Sequence, residues 1–504
     1  MVVGSSPTGC TIFFMSQILS IPQMLALEAR VFAGGIDPWE LMQAVGQGMA
    51  RAIQQRFPEP GTARIFVGKG NNGGDAWVVA DHLAANDWIV EVVESFKDAE
   101  CSALALRAKE QWSQKHAGMD GADHFKSSAP RRLVLIDGLL GIGSRGEPRE
   151  PVARWIEVIN NLRKKGAYVF ALDLPSGLGG GNPVIADHTL TAGFAKDLLL
   201  TDGAASAVGR LQVIAVEAFG DSVTPSPLGT VNTPASLNQF VPPRLFDTHK
   251  GQCGRLAIIA GGVGTAGAAV LAATGALRAG AGLVTVFVPD AIYPIVASKA
   301  PPEAMVLPWT KLPHHFHNKW DAFAIGPGVH PAEASGLESL LTIAAPKVLD
   351  AGLLTFLAQR KDLLDRLEAN NLLTPHPGEM ERLFSRAGRN RREWAEAFLI
   401  GKKCTLLLKG SRTLVMEPGR PPGYNPTGHP GMATGGMGDV LTGVCGALLA
   451  QGLAPHATGC VAAWVCGRAA ELAVERQGRS QESLLPSDLF DFFGPAFDEL
   501  RTGH

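Results

Sequence analysis

Short apolar runs recur along this chain, and one after another they stop at glycine, aspartate or lysine. Ile65-Phe66-Val67 runs into Gly68-Lys69-Gly70-Asn71-Asn72-Gly73-Gly74-Asp75, and a helical pattern follows from Ala76. Leu133-Val134-Leu135-Ile136 ends at Asp137, and Tyr168-Val169-Phe170-Ala171-Leu172 ends at Asp173-Leu174-Pro175-Ser176-Gly177. Strand-like runs that alternate with helical patterns predict parallel sheets covered by helices, an α/β fold. The polar clusters then fall at the C-terminal ends of strands, the edge where open α/β sheets bind ligands.

The second half repeats the pattern. Leu256-Ala257-Ile258-Ile259-Ala260 ends in Gly261-Gly262, Phe323-Ala324-Ile325 in Gly326-Pro327-Gly328, and Val348-Leu349 in Asp350. Leu372-Leu373 leads into Thr374-Pro375-His376-Pro377-Gly378-Glu379, and Leu406-Leu407-Leu408 into Lys409-Gly410. At 504 residues the chain is too long for one core, so two domains are expected. Residues 221–243 hold Pro225, Pro227, Pro234, Pro242 and Pro243 among serine and threonine, which sets the boundary near residue 230. The expected domains are 16–228 and 235–502. A helical pattern covers residues 21–57, and residues 266–288 read as a buried helix, turn and strand rather than a membrane span.

The strongest chemical signal is Ala433-Thr434-Gly435-Gly436-Met437-Gly438-Asp439, followed at once by apolar Val440-Leu441. Its glycines let backbone N–H groups turn toward an anion, and the helix that follows adds the positive end of its dipole. A carboxylate beside a phosphate cradle is repelled by the anion. Asp439 is therefore read as a base that takes a proton from a hydroxyl attacking a phosphoryl group. The plain alternative is an aspartate in the first turn of a helix.

Asn71 to Asp75 reads as a phosphate-binding turn before a helix, outside the usual dinucleotide fingerprint. Asn72, Asp137 and Ser176 offer oxygens from three strand ends, a hard donor set suited to a cation, although turn and cap roles account for each singly. Asp173 is a candidate acid or base. Lys409, at a strand end, reads either as a phosphate contact, with Gly410, Ser411, Arg412 and Thr413 as further donors, or as a solvated lysine in a hairpin loop. His376, held between two prolines, reads equally as a structural residue and as a ligand contact.

Net charge is -2 and no basic stripe stands out, which argues against nucleic acid as the main partner. The seven cysteines are scattered without a Cys-x-x-Cys, as expected for free thiols in a reducing cytosol. His314, His315 and His317 read as a surface loop rather than a metal site. Ile12-Phe13-Phe14-Met15 has no basic start and no long apolar core, so an extended N-terminus is expected rather than a signal peptide.

Together these motifs resemble the NAD(P)H-hydrate repair enzymes, in which an NAD(P)HX epimerase domain is fused to an ADP-dependent NAD(P)HX dehydratase. In the N-terminal half the resemblance rests on Asn71 to Asp75, Asp137 to Gly143, Asp173 to Gly177, Ala186 to Thr189 and Lys196. In the C-terminal half it rests on His249 to Gly251, Gly264 to Ala268, Gly280 to Val284, Gly326 to Gly328, Thr374 to Glu379, Leu408 to Gly410 and Thr434 to Gly443.

The resemblance implies a Rossmann-like three-layer domain followed by a ribokinase-like α/β domain. It implies that Asn71, Asn72, Gly73, Gly74, Asp75, Gly141, Ile142, Gly143, Ser144, Arg145, Gly146, Glu147 and Asp173 hold the hydrated nucleotide, and that Asn72, Asp137 and Ser176 bind K⁺. In the dehydratase, Ala268, Gly328, His376 and Asp439 would contact the hydrate, and Lys409, Gly410, Ser411, Arg412, Thr413 and Gly438 would contact ADP. Mg²⁺ would come with the nucleotide. A cytoplasmic homo-oligomer with no membrane partner is expected. The rival readings are a ribokinase-type small-molecule kinase, which would release a stable phosphorylated product, and a binding scaffold.

The sequence departs from the family pattern in four places. Ala76 follows the Asn-Asn-Gly-Gly-Asp stretch where glycine is usual and is expected to tighten the turn. Val329-His330 replace a Leu-Gly pair, Gly352 replaces an aspartate, and His429 replaces an asparagine at the rim of the nucleotide site.

Overall fold

A computed structural model describes residues 16–116, 132–220, 228–315 and 320–503. Residues 12–15, Pro225, Pro227, His317 and the side chains of His314 and His315 lie outside the described residues. The chain divides into two compact units at Leu228 and Gly229.

The N-terminal unit is built on six parallel strands, ordered across the sheet as Ile89–Glu94, Thr62–Val67, Leu133–Gly138, Tyr168–Leu172, His188–Ala192 and Arg210–Ile214. Side chains alternate between two cores, as a period of two requires. Ile65, Ile136 and Phe170 enter one; Phe66, Leu135 and Val169 enter the other. Helices Ile21–Ala33, Pro38–Arg56 and Asn71–Ala84 cover the first face, and Val152–Lys164 covers the second. Gly34 and Gly35 break the segment expected as one helix into two.

After Thr62–Val67 the chain steps outward to Ile89–Glu94, then returns to the other side for Leu133–Gly138. Neighbouring strands whose connections run in opposite directions leave a crevice at their carboxyl ends. That switch point lies between Val67 and Gly138.

The C-terminal unit carries a ten-stranded sheet. Met305–Pro308, Leu283–Val288, Arg255–Ile259, Ala322–Ile325, Lys347–Leu349, Asn371–Leu373 and Thr405–Leu408 are parallel neighbours in that order. Leu414–Met416 and Gly423–Tyr424 follow antiparallel, and Thr230–Val231 joins the far edge. Pro234 opens the short helix Pro234–Leu237 beside it.

Helices Ala266–Arg278, Met437–Ala450 and Pro455–Gln477 pack on one face, and Ala351–Gln359, Pro377–Leu383 and Arg391–Leu399 on the other. Pro455–Gln477 is long and apolar enough to cross a membrane, but 89% of its apolar window is buried inside the unit. Ala266–Arg278 and Met437–Ala450 touch backbone to backbone: a Cβ on Gly443 would stand 2.1 Å from the Ala272 carbonyl oxygen. Here the switch point lies between Arg255–Ile259 and Ala322–Ile325.

Candidate active sites

At the N-terminal switch point, Asn71 to Asp75 form the opening turns of the helix itself, which starts at Asn71 after Gly70. The expected separate turn before Ala76 is thus corrected. Gly73 allows it, because a Cβ there would sit 1.9 Å from the Gly68 carbonyl oxygen. Ala76 is buried against the strand rather than in a turn, with space for its methyl left by Gly138.

Asp137 and Ser176 are joined directly. Ser176 donates its hydroxyl to Asp137 Oδ1 at 2.6 Å and its amide to Oδ2 at 2.8 Å, while the Leu139 amide adds a bond at 3.2 Å. Burial nevertheless pushes the Asp137 carboxyl up to about 6. Asn72 Nδ2 donates to the Leu140 carbonyl at 2.9 Å, and Asn72 Oδ1 is buried without a hydrogen-bond partner. An acceptor left bare in the interior is costly unless something electropositive meets it. The exposed stretch from Gly143 to Glu147 continues from Gly141, whose backbone passes Asn72, with Ile142 packed against the core.

Asp173 stands at the neighbouring strand end with φ +61°, a left-handed conformation that aspartate tolerates better than most residues. Lys196 Nζ donates to it at 2.5 Å, and to Thr191 Oγ1 and the Ala192 carbonyl at 2.9 and 3.0 Å. Asp75 belongs to the same group: burial, then the charges of Asp173 and Glu28, push its carboxyl well above the usual range. Glu28 is likewise raised by burial. One carboxyl, that of Asp173, thus bonds the buried ammonium directly, and two more, those of Asp75 and Glu28, feel its charge. Glu28 carried no sequence signal, because it lies on an unremarkable helix face far from any glycine motif.

In the C-terminal unit, the switch point brings Ala268 and Gly328 together: a Cβ on Gly328 would lie 2.8 Å from that of Ala268. The Thr265 hydroxyl donates to the Gly328 carbonyl at 2.6 Å and fixes this approach. Three strand ends along, Lys409 Nζ donates to Asp350 Oδ1 at 2.9 Å and lies 3.8 Å from Glu379. Asp350 Oδ2 accepts from the Thr442 hydroxyl at 2.7 Å. Gly438 faces this pair, since a Cβ there would lie 3.3 Å from Lys409 Nζ.

Asp439 sits one residue further into the helix. Burial pushes its carboxyl up to about 6, Asp350 and Glu379 add to that, and Lys409 opposes it. Burial works against the Lys409 ammonium, but Asp350, Glu379 and Asp439 outweigh it and hold its pKa above the ordinary value. Gly436, at φ +94°, turns the chain into the helix, and the amides of Met437, Gly438 and Asp439 find no acceptor among the described residues. Unfilled first-turn amides at the positive end of a helix form an anion hole.

The remaining candidates divide. His376 caps its own helix, with Nδ1 accepting from the amides of Gly378 and Glu379 at 3.0 and 3.3 Å. Gly410 and Ser411 are exposed and Thr413 is half-buried, its hydroxyl bonded to the Gly410 carbonyl at 3.0 Å. Arg412 points inward, buried, and donates to the Pro426 carbonyl. The cation over this loop is instead Arg391, whose guanidinium occupies the space a Cβ on Gly410 would need.

Two family models match. Residues 39–198 match the YjeF-related protein N-terminus, and residues 256–493 match NAD(P)H-hydrate dehydratase. The bifunctional NAD(P)H-hydrate repair enzyme of Moorella thermoacetica is 33% identical over 90% of this chain and 91% of its own. That of Escherichia coli is 33% identical over 90% of this chain and 89% of its own. The chain belongs to the bifunctional NAD(P)H-hydrate repair enzymes.

Among solved structures, the ADP/ATP-dependent NAD(P)H-hydrate dehydratase from Bacillus subtilis aligns with 54% of this repair enzyme and 99% of its own chain, at 27% identity and a TM-score of 0.47. Two of the departures from the family pattern have local explanations here. In this repair enzyme a side chain at Gly352 would meet the Val329 carbonyl oxygen at 1.9 Å, so the two changed loops fit each other. His429 does an asparagine's work, its Nδ1 accepting from the Gly431 amide at 3.1 Å.

Proposed function

We propose that this repair enzyme returns hydrated NADH and NADPH to the reduced coenzymes in two steps. The N-terminal unit interconverts the R and S epimers at C6, and the C-terminal unit dehydrates the S epimer at the expense of ADP, giving AMP and phosphate. Family membership supports the reaction. The observation that carries its assignment to residues is the glycine-rich helix start, where the amides of Met437 to Asp439, without an acceptor among the described residues, lie beside the Lys409 ammonium.

Water leaves poorly from C6 at neutral pH. In the proposed course the C6 hydroxyl oxygen attacks the β-phosphorus of ADP, Asp439 takes the hydroxyl proton, and AMP departs with the electrons of the cleaved P–O bond. Phosphate then leaves C6, a proton is lost from C5, and the dihydropyridine ring is restored. A base with a pKa near the working pH suits the proton transfer. The amides of Met437 to Asp439 and the Lys409 ammonium face the charge that gathers on the phosphoryl oxygens. Ser411 and Thr413 would contact ADP, and Arg412 would hold their loop from within.

In the N-terminal unit the reacting carbon carries both a hydroxyl and the ring nitrogen. Its C–N bond opens when the hydroxyl loses a proton and the nitrogen gains one, and closure on the other face inverts C6. Asp173, steadied by Lys196, would take the hydroxyl proton, and the raised Asp75 carboxyl would supply the other.

The bare Asn72 Oδ1 beside the Asp137–Ser176 pair fits a hard monovalent cation, so K⁺ would be held by Asn72, Asp137 and Ser176. Bound there, it would supply positive charge toward the phosphates of the hydrated nucleotide. Among the described residues no group of three or more His, Cys, Asp or Glu side chains is arranged for a metal. Mg²⁺ would therefore be held chiefly by the nucleotide's own phosphates.

The test is absorbance in the reduced-nicotinamide band. S-NADHX with ADP should regain it, with AMP and phosphate released together, and R-NADHX should follow through epimerisation. A stable phosphorylated product with no recovered absorbance would overturn the reading in favour of a kinase.

A further inference from the structure

The ten-stranded sheet carries a cavity at the edge opposite Asp439. Lys347 opens the strand Lys347–Leu349, Asn371 opens the adjacent strand Asn371–Leu373, and the two residues are register partners. Both line a cavity of about 400 Å³, together with Asn370, Thr342, Arg366 and Leu367.

Lys347 is 1% exposed and has no carboxylate partner among the described residues. Its ammonium donates to the Ile343 and Ala345 carbonyls, and the remaining N–H finds no acceptor among the described residues. The carboxylates on the cavity wall are engaged elsewhere, Glu338 with Arg360 and Glu368 with Lys403. Arg366 adds a second positive charge at the exposed rim.

Asn371 adds an independent sign. It is 2% exposed; its Nδ2 donates to the Glu368 carbonyl and to Asn370 Oδ1, but its Oδ1 is buried with no partner. The cavity thus presents an unneutralised cation with a spare donor beside a bare acceptor. An uncompensated buried charge and an unfilled buried acceptor are each costly, and one ligand group can offset both.

We infer that this cavity is a binding site for a small organic anion that carries a hydrogen-bond donor next to its charge, such as a 2-hydroxy carboxylate or a hydroxyalkyl phosphate. The anion meets Lys347, and the donor meets Asn371 Oδ1. Burial alone lowers the Lys347 pKa to about 8, so an anion here also keeps the lysine protonated. The proton transfers proposed for Asp439 and Asp173 use none of these residues.

The experiment is calorimetric titration of the full chain with glycolate, acetate and inorganic phosphate, paired with trace acetylation of Lys347 read by mass spectrometry. Glycolate is expected to bind saturably and to protect Lys347 from acetylation. Acetate, which lacks the donor, should bind about tenfold more weakly, the worth of one hydrogen bond. Lys347→Met should abolish saturable glycolate binding, and Asn371→Ala should bring glycolate down to the acetate level. Phosphate protecting Lys347 more strongly than glycolate would assign the ligand to the phosphate class. No saturable binding heat from any of the three with the wild-type chain would overturn the inference, whether or not the variants fold. Glycolate binding that survives Lys347→Met would overturn it as well.

Discussion

Lys409 and Asp350 meet at 2.9 Å across two strand ends, and the free oxygen of Asp350 accepts from Thr442 at 2.7 Å. This one carboxylate fixes the lysine and the second turn of the helix that carries Asp439. With Asp350 2% and Lys409 19% exposed at the side chain, the pair is partly desolvated. Removing one member of such a pair strands the other's charge. Asp350→Asn keeps the shape and removes the charge, and should lower the stability of the C-terminal unit by about 3 kcal/mol in denaturant unfolding. A loss below about 1 kcal/mol would mean that Glu379, 3.8 Å away, takes over as partner.

Asp439→Asn preserves the helix start but cannot accept the hydroxyl proton. Dehydration of S-NADHX should fall by at least about a hundredfold, the usual worth of a general base. Epimerisation, followed by the change in R to S ratio, should continue at the wild-type rate. Normal dehydration in this variant would remove Asp439 from the mechanism.

The raised Asp439 carboxyl sets a pH dependence. The base works only when ionised, so kcat/KM for dehydration should rise with pH, bend near 6 and level off above it. Asp350 holds that value up, so Asp350→Asn should move the bend toward lower pH. A bend that stays in place would show that another group limits the rate.

Much of this architecture was legible because strands buried on both faces read as unbroken apolar runs, as at Leu133 to Ile136. Strand order was not, since adjacent parallel strands such as Thr62–Val67 and Leu133–Gly138 are joined through an excursion to a third strand. Asn71 to Asp75 read as a turn because glycine signals one. Packing against Gly68 made it the start of a helix. Arg412 read as a donor by its place in the loop, but it turned inward to the Pro426 carbonyl. Asp350 stood at a strand end in plain view, yet its partner Lys409 follows 59 residues later, and pairing at that range has no local signature.

Potassium should stabilise the N-terminal unit by binding the native state alone. At a hundred times Kd the gain is about 2.7 kcal/mol, visible as a higher melting temperature with K⁺ than with tetramethylammonium. Asn72→Ala removes the bare acceptor and should abolish most of that difference. Equal melting temperatures in both salts for the wild type would exclude the cation site.

Lys196→Met tests the carboxyl group around Asp173. Lys196 is 1% exposed, and its ammonium meets Asp173 at 2.5 Å. Its charge also lowers the pKa values of Asp75 and Glu28. Without it the charges of Asp173 and Glu28 on Asp75, and of Asp173 on Glu28, are no longer opposed by a cation. Asp173 then loses the donor that orients it, and Asp75 and Glu28 lose the one charge that lowers their raised pKa values. Epimerisation should fall by about a hundredfold or more, and an unfolding transition close to that of the wild type would mark a lost positioning contact rather than a collapsed site. Dehydration of pure S-NADHX should be unaffected, since Asp439 lies in the other unit. A variant that epimerises at the wild-type rate would show that Asp173 needs no cation beside it.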